Sequence, residues 1–231
     1  MEQKQKELYH AHAQRLALIL QNQTEEEFAD SRFQVLSELT RLRQLCCDPA
    51  LVYENYEGGS AKLDLCIELI QSAVESGHKI LLFSQFTSMI EILTARLQEE
   101  SISYFVLQGS TKKEQRAQMV EQFNRDDTSV FCISLKAGGT GLNLTGADIV
   151  IHYDPWWNVA VENQATDRAH RIGQKNVVTV YKLIAKGTIE EKIIKLQQRK
   201  KELAEEILSG DEIKTASFQR EELLELLEER F

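Results

Sequence analysis

Residues 130–153, VFCISLKAGGTGLNLTGADIVIHY, contain two short apolar runs on either side of a glycine-rich loop. The runs at 130–134 and 149–153 are continuous and rich in β-branched residues, which is typical of parallel strands buried on both faces. The glycines begin a few residues after the first run ends. Ligands of open α/β sheets bind beyond the carboxyl ends of the strands, so this loop is a candidate binding segment.

The flanking sequence continues this alternation of strands and helices. We predict further strands of the same kind, buried on both faces, at 79–84, 104–107 and 177–184. Helices are predicted at 61–76, 87–99, 112–124 and 159–171. Such alternation favours βαβ units and an α/β fold, a parallel sheet flanked by helices.

The two ends of the chain are predicted to be helical. Residues 1–57 form an N-terminal helical appendage, with helices at 2–21 and 31–46 and a turn over 22–30. In the second helix the apolar face is predicted from a spacing of three residues: Phe33, Leu36, Leu39, Leu42 and Leu45. The α/β domain then covers 58–187, and residues 188–231 hold a long helix at 188–208 and an acidic amphipathic helix at 221–229.

Composition and net charge limit the classes of protein to which the chain can belong. The chain has 231 residues, 42% of them hydrophobic, which excludes a disordered segment. The net charge is −9, but ten acidic and three basic residues from Glu202 onward contribute −7 of it, so a polyanionic partner is not excluded. The four cysteines follow no zinc spacing, and no apolar run reaches 18 residues. We therefore expect an intracellular protein with no metal site of its own and no membrane span.

Two segments carry residues suited to phosphate or nucleic acid. Arg168 and Arg171 are three residues apart, so on a helix they share a face and could bind a triphosphate bidentately. A solvated helix face with an Asp167–Arg171 ion pair is the alternative interpretation. Trp156 and Trp157 follow the 149–153 strand, and because two adjacent loop tryptophans rarely both bury, one is expected to face a partner or stack on nucleic acid.

Two further loops have simpler alternatives. Residues 108–113, QGSTKK, combine hydroxyls and lysines at a helix start, which suits contact with backbone phosphates. An N-cap at Ser110 or Thr111 followed by exposed lysines would explain the same residues. The glycine-rich loop could likewise be only a tight turn, and it is not a Walker A loop, because no Gly-Lys-Ser/Thr occurs in the chain.

The order of these segments is more specific than any one of them. The runs KILLFSQF, LQGST…R…FN, SLKAGGTGLNL, YDPWWN and QATDRAHRIGQ resemble the second motor lobe of the Swi/Snf family of helicase-like ATPases, in helicase superfamily two. The resemblance extends over about residues 30–205, with LTRLRQLCCDP (39–49) similar to the family's helical lead-in and 188–208 similar to its brace helix. It implies a RecA-like lobe of an ATP-dependent double-stranded DNA translocase of the chromatin-remodelling type.

The resemblance also implies roles for individual residues. Arg168 and Arg171 match the catalytic arginine fingers that reach the γ-phosphate of ATP held by the first lobe. The nucleotide-binding residues it implies are Gln164, Asp167, Gly139 and Gly141. The DNA-binding residues it implies are Ser110, Thr111, Lys112, Lys136, Thr140, Trp156, Trp157 and Asn158. One position departs from the pattern: Val159 stands where the family often has proline.

The sequence also lacks parts of a complete motor. It has no Walker A lysine and no DExH carboxylate, so we expect ATP and Mg²⁺ to be bound mainly by the first lobe and this chain to be inactive alone. The implied partners are double-stranded DNA, the N-terminal RecA-like lobe of the same parent chain and DNA-bound proteins, in the cytoplasm and nucleoid of a prokaryote or in a nucleus.

Two other classes of function stay open at this point. A non-motor nucleotide-binding domain of the Rossmann or flavodoxin type is weakened by the missing GxGxxG fingerprint and downstream acid. A protein-interaction scaffold would use the acidic helix at 221–229, with Leu223, Leu224 and Leu227 as its contacts.

Overall fold

The computed structural model describes residues 1–135, 137, 142–169 and 176–206, together with Leu224 and Leu227. These residues form two compact units. One unit is Ala61–Ile184, and the other joins Met1–Ser60 to the segment that begins at Ala185.

The unit Ala61–Ile184 is built on a five-stranded sheet. Its strands are β1 (Ile80–Ser84), β2 (Tyr104–Leu107), β3 (Val130–Ser134), β4 (Ile149–His152) and β5 (Thr179–Lys182). They run parallel in the order β2-β3-β1-β4-β5, which confirms the predicted parallel α/β fold. This order differs from both the Rossmann order 3-2-1-4-5 and the flavodoxin order 2-1-3-4-5.

Helices alternate with these strands as predicted. They are α3 (Ala61–Glu75), α4 (Thr87–Glu99), α5 (Lys113–Arg125) and α6 (Val159–Thr166), after α1 (Gln3–Asn22) and α2 (Glu25–Cys47) and before α7 (Ile189–Glu206). The strands β1, β3 and β4 are fully buried, and the core beside them contains Phe83, Phe123 and Phe131.

Strand β5 corrects one prediction. The run 177–184 is expected to be buried on both faces, yet all four residues of β5 are exposed. Among the described strands it pairs only with β4, at the edge of the sheet, and Val177 just before it is 88% exposed. The run that forms β5 has the β-branched composition of a central strand, so the sequence pattern alone does not identify it as an edge strand.

Helix α6 is shorter than predicted. It ends at Thr166 rather than near residue 171. The backbone N–H groups of Arg168 and Ala169 donate to the carbonyls of Ala165 and Thr166, three residues earlier. This tighter i→i−3 pattern closes the helix as a turn, so the described part of the segment places Arg168 beyond the helix.

Helix α2 begins earlier than predicted. Residues 22–30 are not a turn, because α2 begins at Glu25. The Thr24 hydroxyl accepts from the backbone N–H of Glu27 at 3.3 Å, and the Glu27 carboxylate accepts from the backbone N–H of Thr24 at 2.8 Å. This reciprocal capping box is readable in the sequence as Thr-x-x-Glu, a signal that the apolar periodicity alone does not use.

The apolar face of α2 is also narrower than predicted. Leu39, Leu42 and Leu45 are buried, whereas Phe33 is 87% and Leu36 is 43% exposed. A spacing of three falls short of the 3.6-residue turn, so a run of such positions moves round the helix and leaves the core.

The remaining helical segments agree with the sequence where they are described. Helix α7 corresponds to the predicted 188–208 helix, and the backbone N–H of Ile189 at its start donates to the Tyr9 hydroxyl in α1 at 2.7 Å. The predicted acidic helix at 221–229 lies outside the described residues, apart from Leu224 and Leu227, which are helical. Of the helices that are described, none is both long and apolar enough to cross a bilayer.

Candidate functional site

Three of the four segments singled out in the sequence leave from one edge of the sheet. The strands are parallel, so the loop at 108–112 after β2, the loop that begins at Leu135 after β3 and the loop at 153–158 after β4 all leave from the carboxyl edge. This is the edge at which open α/β sheets bind ligands. Several predicted site residues, namely Lys136, Gly139, Thr140, Gly141 and Arg171, lie outside the described residues.

The loop after β2 is a closed turn. The Thr111 hydroxyl accepts from the backbone N–H of Gln108 at 3.0 Å, and the N–H of Thr111 donates to the carbonyl of Gln108 at 3.1 Å. Lys112, rather than Ser110 or Thr111, is the N-cap residue of α5, and it makes no side-chain capping bond. Ser110 and Lys112 are exposed, so the turn presents a hydroxyl and an ammonium group at an uncapped helix N-terminus.

Arg116, in the first turns of α5, holds this loop in shape. Its guanidinium donates to the carbonyls of Thr111 at 2.8 Å, Gly109 at 3.1 Å and Gln108 at 3.2 Å. It also donates at 3.3 Å to the carbonyl of Ala137, in the loop after β3. This is the arginine of the LQGST…R…FN run, to which the sequence gives no separate role.

Asn124, in the same run, holds the far end of the glycine-rich loop. Its side-chain amide donates to the carbonyl of Asn143 at 2.8 Å, and its amide oxygen accepts from the backbone N–H of Gly146 at 2.9 Å. A Cβ on Gly146 would lie 3.0 Å from that oxygen and 3.1 Å from the Cα of Asn124, so a side chain at 146 would crowd this contact.

The loop after β4 is held by two buried carboxylates. Asp154 is 1% exposed and accepts from the Ser84 hydroxyl at 2.5 Å, which ties the ends of β4 and β1 together. Glu162 is also 1% exposed. It accepts from the backbone N–H of Trp156 at 2.8 Å and from the Lys182 ammonium at 2.7 Å, so it links the tryptophan loop to β5.

The tryptophan loop ends as the N-cap of α6. Trp156 and Trp157 are both half-buried, and Trp156 packs against the hydrophobic core. The Asn158 side chain accepts from the backbone N–H of Ala160 at 2.9 Å, which caps α6. Val159 is the first helical residue, the position at which proline is common, so the departure from the family pattern leaves the helix start in place.

The candidate nucleotide residues after α6 differ in exposure. Gln164 and Asp167 are exposed, whereas Arg168 is only 3% exposed and its carbonyl accepts from the backbone N–H of Leu144 at 3.1 Å. Arg168 therefore lies in a buried turn joined to the end of the glycine-rich loop. Arg168 lies beyond α6, which ends at Thr166, and Arg171 is outside the described residues, so the shared face of the two arginines stays a prediction.

His152, at the end of β4, is a further buried group that sequence reasoning missed. Its Nε2 lies 3.0 Å from the Thr166 hydroxyl, and its ring stacks on Phe83 with centroids 5.5 Å apart. Burial lowers the pKa of His152 to about 4; the nearby Glu162 carboxylate opposes this and the Lys182 ammonium adds to it. His152 is therefore neutral at pH 7 and helps to join β4 to the end of α6.

Comparison with known proteins identifies the relatives of this chain. Residues 61–173 match the helicase conserved C-terminal domain. An uncharacterized ATP-dependent helicase of Mycoplasma pneumoniae is 45% identical over 202 residues, which cover 86% of this chain and 19% of the relative. The putative ATP-dependent helicase/translocase YwqA of Bacillus subtilis is 43% identical over a match that covers 77% of this chain and 20% of the relative. The chromatin-remodeling ATPase INO80 of Homo sapiens is 44% identical over a match that covers 73% of this chain and 11% of the relative.

Solved structures decide the family. The C-terminal domain of the Sulfolobus solfataricus SWI2/SNF2 ATPase is 32% identical, with a TM-score of 0.73, over 91% of this chain and 87% of that domain. The chain belongs to the SWI2/SNF2 ATPase family and forms its second lobe. The core of the same Sulfolobus solfataricus ATPase in complex with dsDNA is 33% identical, with a TM-score of 0.76, over 90% of this lobe and 44% of that core.

This assignment corrects one of the alternatives. A Rossmann or flavodoxin-type nucleotide-binding domain is wrong for this lobe, since both the family and the strand order differ. The lobe spans about a fifth or less of the curated relatives it matches. Among the residues that the structure describes, no group of three or more His, Cys, Asp or Glu side chains is placed to hold a metal ion.

Proposed function

We propose that this lobe works with a first RecA-like lobe as an ATP-dependent double-stranded DNA translocase of the chromatin-remodelling type. The family membership supports this function. Two relatives are named as a putative ATP-dependent helicase/translocase and a chromatin-remodeling ATPase, and one structural neighbour is in complex with dsDNA. The observation that carries the proposal is that three motif loops leave from one carboxyl edge and are held there by hydrogen bonds. Arg116 joins the loops after β2 and β3, and the buried carboxylates of Asp154 and Glu162 tie the loop after β4 to β1 and β5.

The proposed DNA surface follows the loops after β2, β3 and β4. Ser110, Thr111 and Lys112 in the first loop would contact backbone phosphates, and the half-buried Trp157 would contact the strand beside them. The remaining proposed contacts are Lys136, Thr140, Trp156 and Asn158. Because contacts to backbone phosphates carry no sequence information, binding should be nearly independent of sequence.

The proposed nucleotide surface combines the segment at the end of α6 with the glycine-rich loop. Arg168 and Arg171 would reach the γ-phosphate of ATP held by the first lobe, with Gln164, Asp167, Gly139 and Gly141 lining the cleft. A guanidinium placed there stabilises the charge of the transferring phosphoryl group, an effect of roughly 10³–10⁵ in rate. Arg168 is buried, so its removal would also disturb the fold.

The other parts of the motor are proposed to lie in the first lobe. ATP would be bound mainly there, with Mg²⁺, which neutralises phosphate charge when bound. This chain has no Walker A lysine, so we expect no ATP turnover from it alone, with or without DNA. Residues 1–57 would serve as the helical lead-in and 188–231 as the brace and acidic tail. An enzyme that acts on DNA-bound proteins would be located in the nucleoid of a prokaryote or in a nucleus.

Duplex binding by this chain tests the proposal. The affinity should be similar for two unrelated duplex sequences and should fall with salt, with a log–log slope of about −0.9 per phosphate neutralised. The measurement is the anisotropy of labelled duplexes titrated with the chain over a series of salt concentrations. An absence of duplex binding at low salt, or strong preference for one sequence, would contradict the proposed function.

A further inference from the structure

We propose that Arg116 is a positioning residue that shapes two DNA-facing loops at once, an inference that rests on the proposed function. It is half-buried and contacts four carbonyls. Three of them belong to the loop after β2 and one to the loop after β3, and these strands are neighbours in the sheet. A single side chain therefore joins two loops, and its partner Ala137 lies 21 residues further along the chain.

The contacts match the chemistry of a guanidinium. All four partners are carbonyl oxygens, which only accept, and the five N–H groups of arginine only donate. The planar fork reaches several acceptors at fixed angles, whereas a lysine ammonium is a compact point charge on a flexible stem. Arg125 gives the contrast on the same helix, because it is exposed and pairs only with the exposed Glu121 among the described residues.

The carbonyl contacts also fix where the loop's N–H groups point. A trans peptide unit is planar, so its N–H points opposite to its C=O. The carbonyls of Gln108, Gly109 and Thr111 face Arg116, and the N–H groups of the residues that follow each of them therefore face away from it. In the described part of the chain, these N–H groups, of Gly109, Ser110 and Lys112, have no acceptor within the protein.

The outward N–H groups lie at the uncapped start of α5. Backbone N–H groups at a helix N-terminus favour phosphate oxygens. Arg116 would thus act through the backbone: it turns carbonyls inward and leaves donors for the DNA strand, without contacting a phosphate itself. The same guanidinium, through Ala137, sets the distance between this turn and the loop after β3.

Substitution with a charge-preserving control separates positioning from direct contact. Arg116→Ala and Arg116→Lys should each weaken duplex binding by about tenfold, because outward N–H bonds to phosphate are lost in both. The salt slope should stay at its wild-type value in both variants, since no phosphate-neutralising cation is removed. Arg125→Ala, which removes the same charge from the same helix, should change the affinity by less than about twofold.

The measurement is duplex anisotropy against salt, with circular dichroism to confirm that each variant is folded at the assay temperature. Recovery of the affinity by Arg116→Lys, or a slope lowered by about one phosphate in Arg116→Ala, would show a direct phosphate contact and overturn the proposal. Wild-type affinity in both folded variants would overturn it as well. If Arg116→Ala is unfolded, Arg116→Lys alone decides. A wild-type chain that binds no duplex would instead contradict the proposed function.

Discussion

His152 makes the stability of the lobe depend on pH over a defined window. Its pKa is about 4 in the folded protein and close to 6.5 in the unfolded chain. Between these values the unfolded chain binds the proton and the folded protein does not, so stability falls as the solution is acidified. Protonation would also create a second ring N–H, and in the described structure Nδ1 has no hydrogen-bond partner.

The size of this effect follows from the width of the window. Each pH unit between the two pKa values contributes about 1.4 kcal/mol, so the loss is about 2 kcal/mol at about pH 5 and about 3 kcal/mol once the pH reaches the folded pKa. Well above pH 6.5 the ring is neutral in both states, and His152 adds no pH dependence.

The assay is denaturant unfolding of the wild-type chain and of His152→Gln, near neutral pH and near pH 5. The glutamine keeps a polar group that can reach the Thr166 hydroxyl, but it does not titrate. Carboxylates titrate in both proteins, so the difference between their two pH slopes isolates the histidine. The wild type should lose about 2 kcal/mol more than the variant on acidification. Equal losses would refute the reasoning.

Three further substitutions test the loops and the helical unit. Glu162→Gln should lower the free energy of unfolding by about 1.5–3 kcal/mol and shift the tryptophan emission, because it weakens the charged bonds to Trp156 and β5. In the same chemical unfolding experiment, the exposed control Glu121→Gln should lower the free energy of unfolding by less than about 0.5 kcal/mol. An unchanged emission in Glu162→Gln would show that the carboxylate does not hold the loop. Thr24→Ala should lower stability by about 1 kcal/mol through loss of the capping box, measured by calorimetry, and a change near zero would mean that the helix start is held by packing alone. Trp157→Ala, in a two-lobe ATPase core that contains this lobe, should uncouple DNA movement from ATP turnover in a triplex-displacement assay, and normal coupling would assign the tryptophan to packing.

The sheet was largely predictable from the sequence because its strands are short apolar runs. Strands β1, β2, β3 and β4 lie within a residue or so of their predicted bounds. Strand β5 was predicted too long and too buried, since its composition is that of a central strand and only the tertiary pairing makes it an edge. The start of α2 was missed because its signal is a cap, Thr24 with Glu27, and not an apolar period.

The sequence predicts where in the fold the motif loops lie, but it does not predict the hydrogen bonds that hold them there. Parallel strands bring their carboxyl-end loops to one edge, so the sequence order alone places the motifs together. The bonds that hold them there join residues far apart in the chain, such as Ser84 with Asp154, 70 residues on. No spacing rule links such pairs. The burial of Arg168 is of the same kind, because it depends on where the turn after α6 packs.

ATP turnover by a two-lobe ATPase core with Arg171→Ala in this lobe tests the proposed motor role most directly. DNA-stimulated turnover should fall by about 10³-fold or more, while duplex affinity stays within about twofold of the wild type, because the guanidinium acts on the transferring phosphate and not on the DNA. Turnover that stays at the wild-type rate, or affinity that falls together with turnover, would contradict the assignment of Arg171 to the nucleotide.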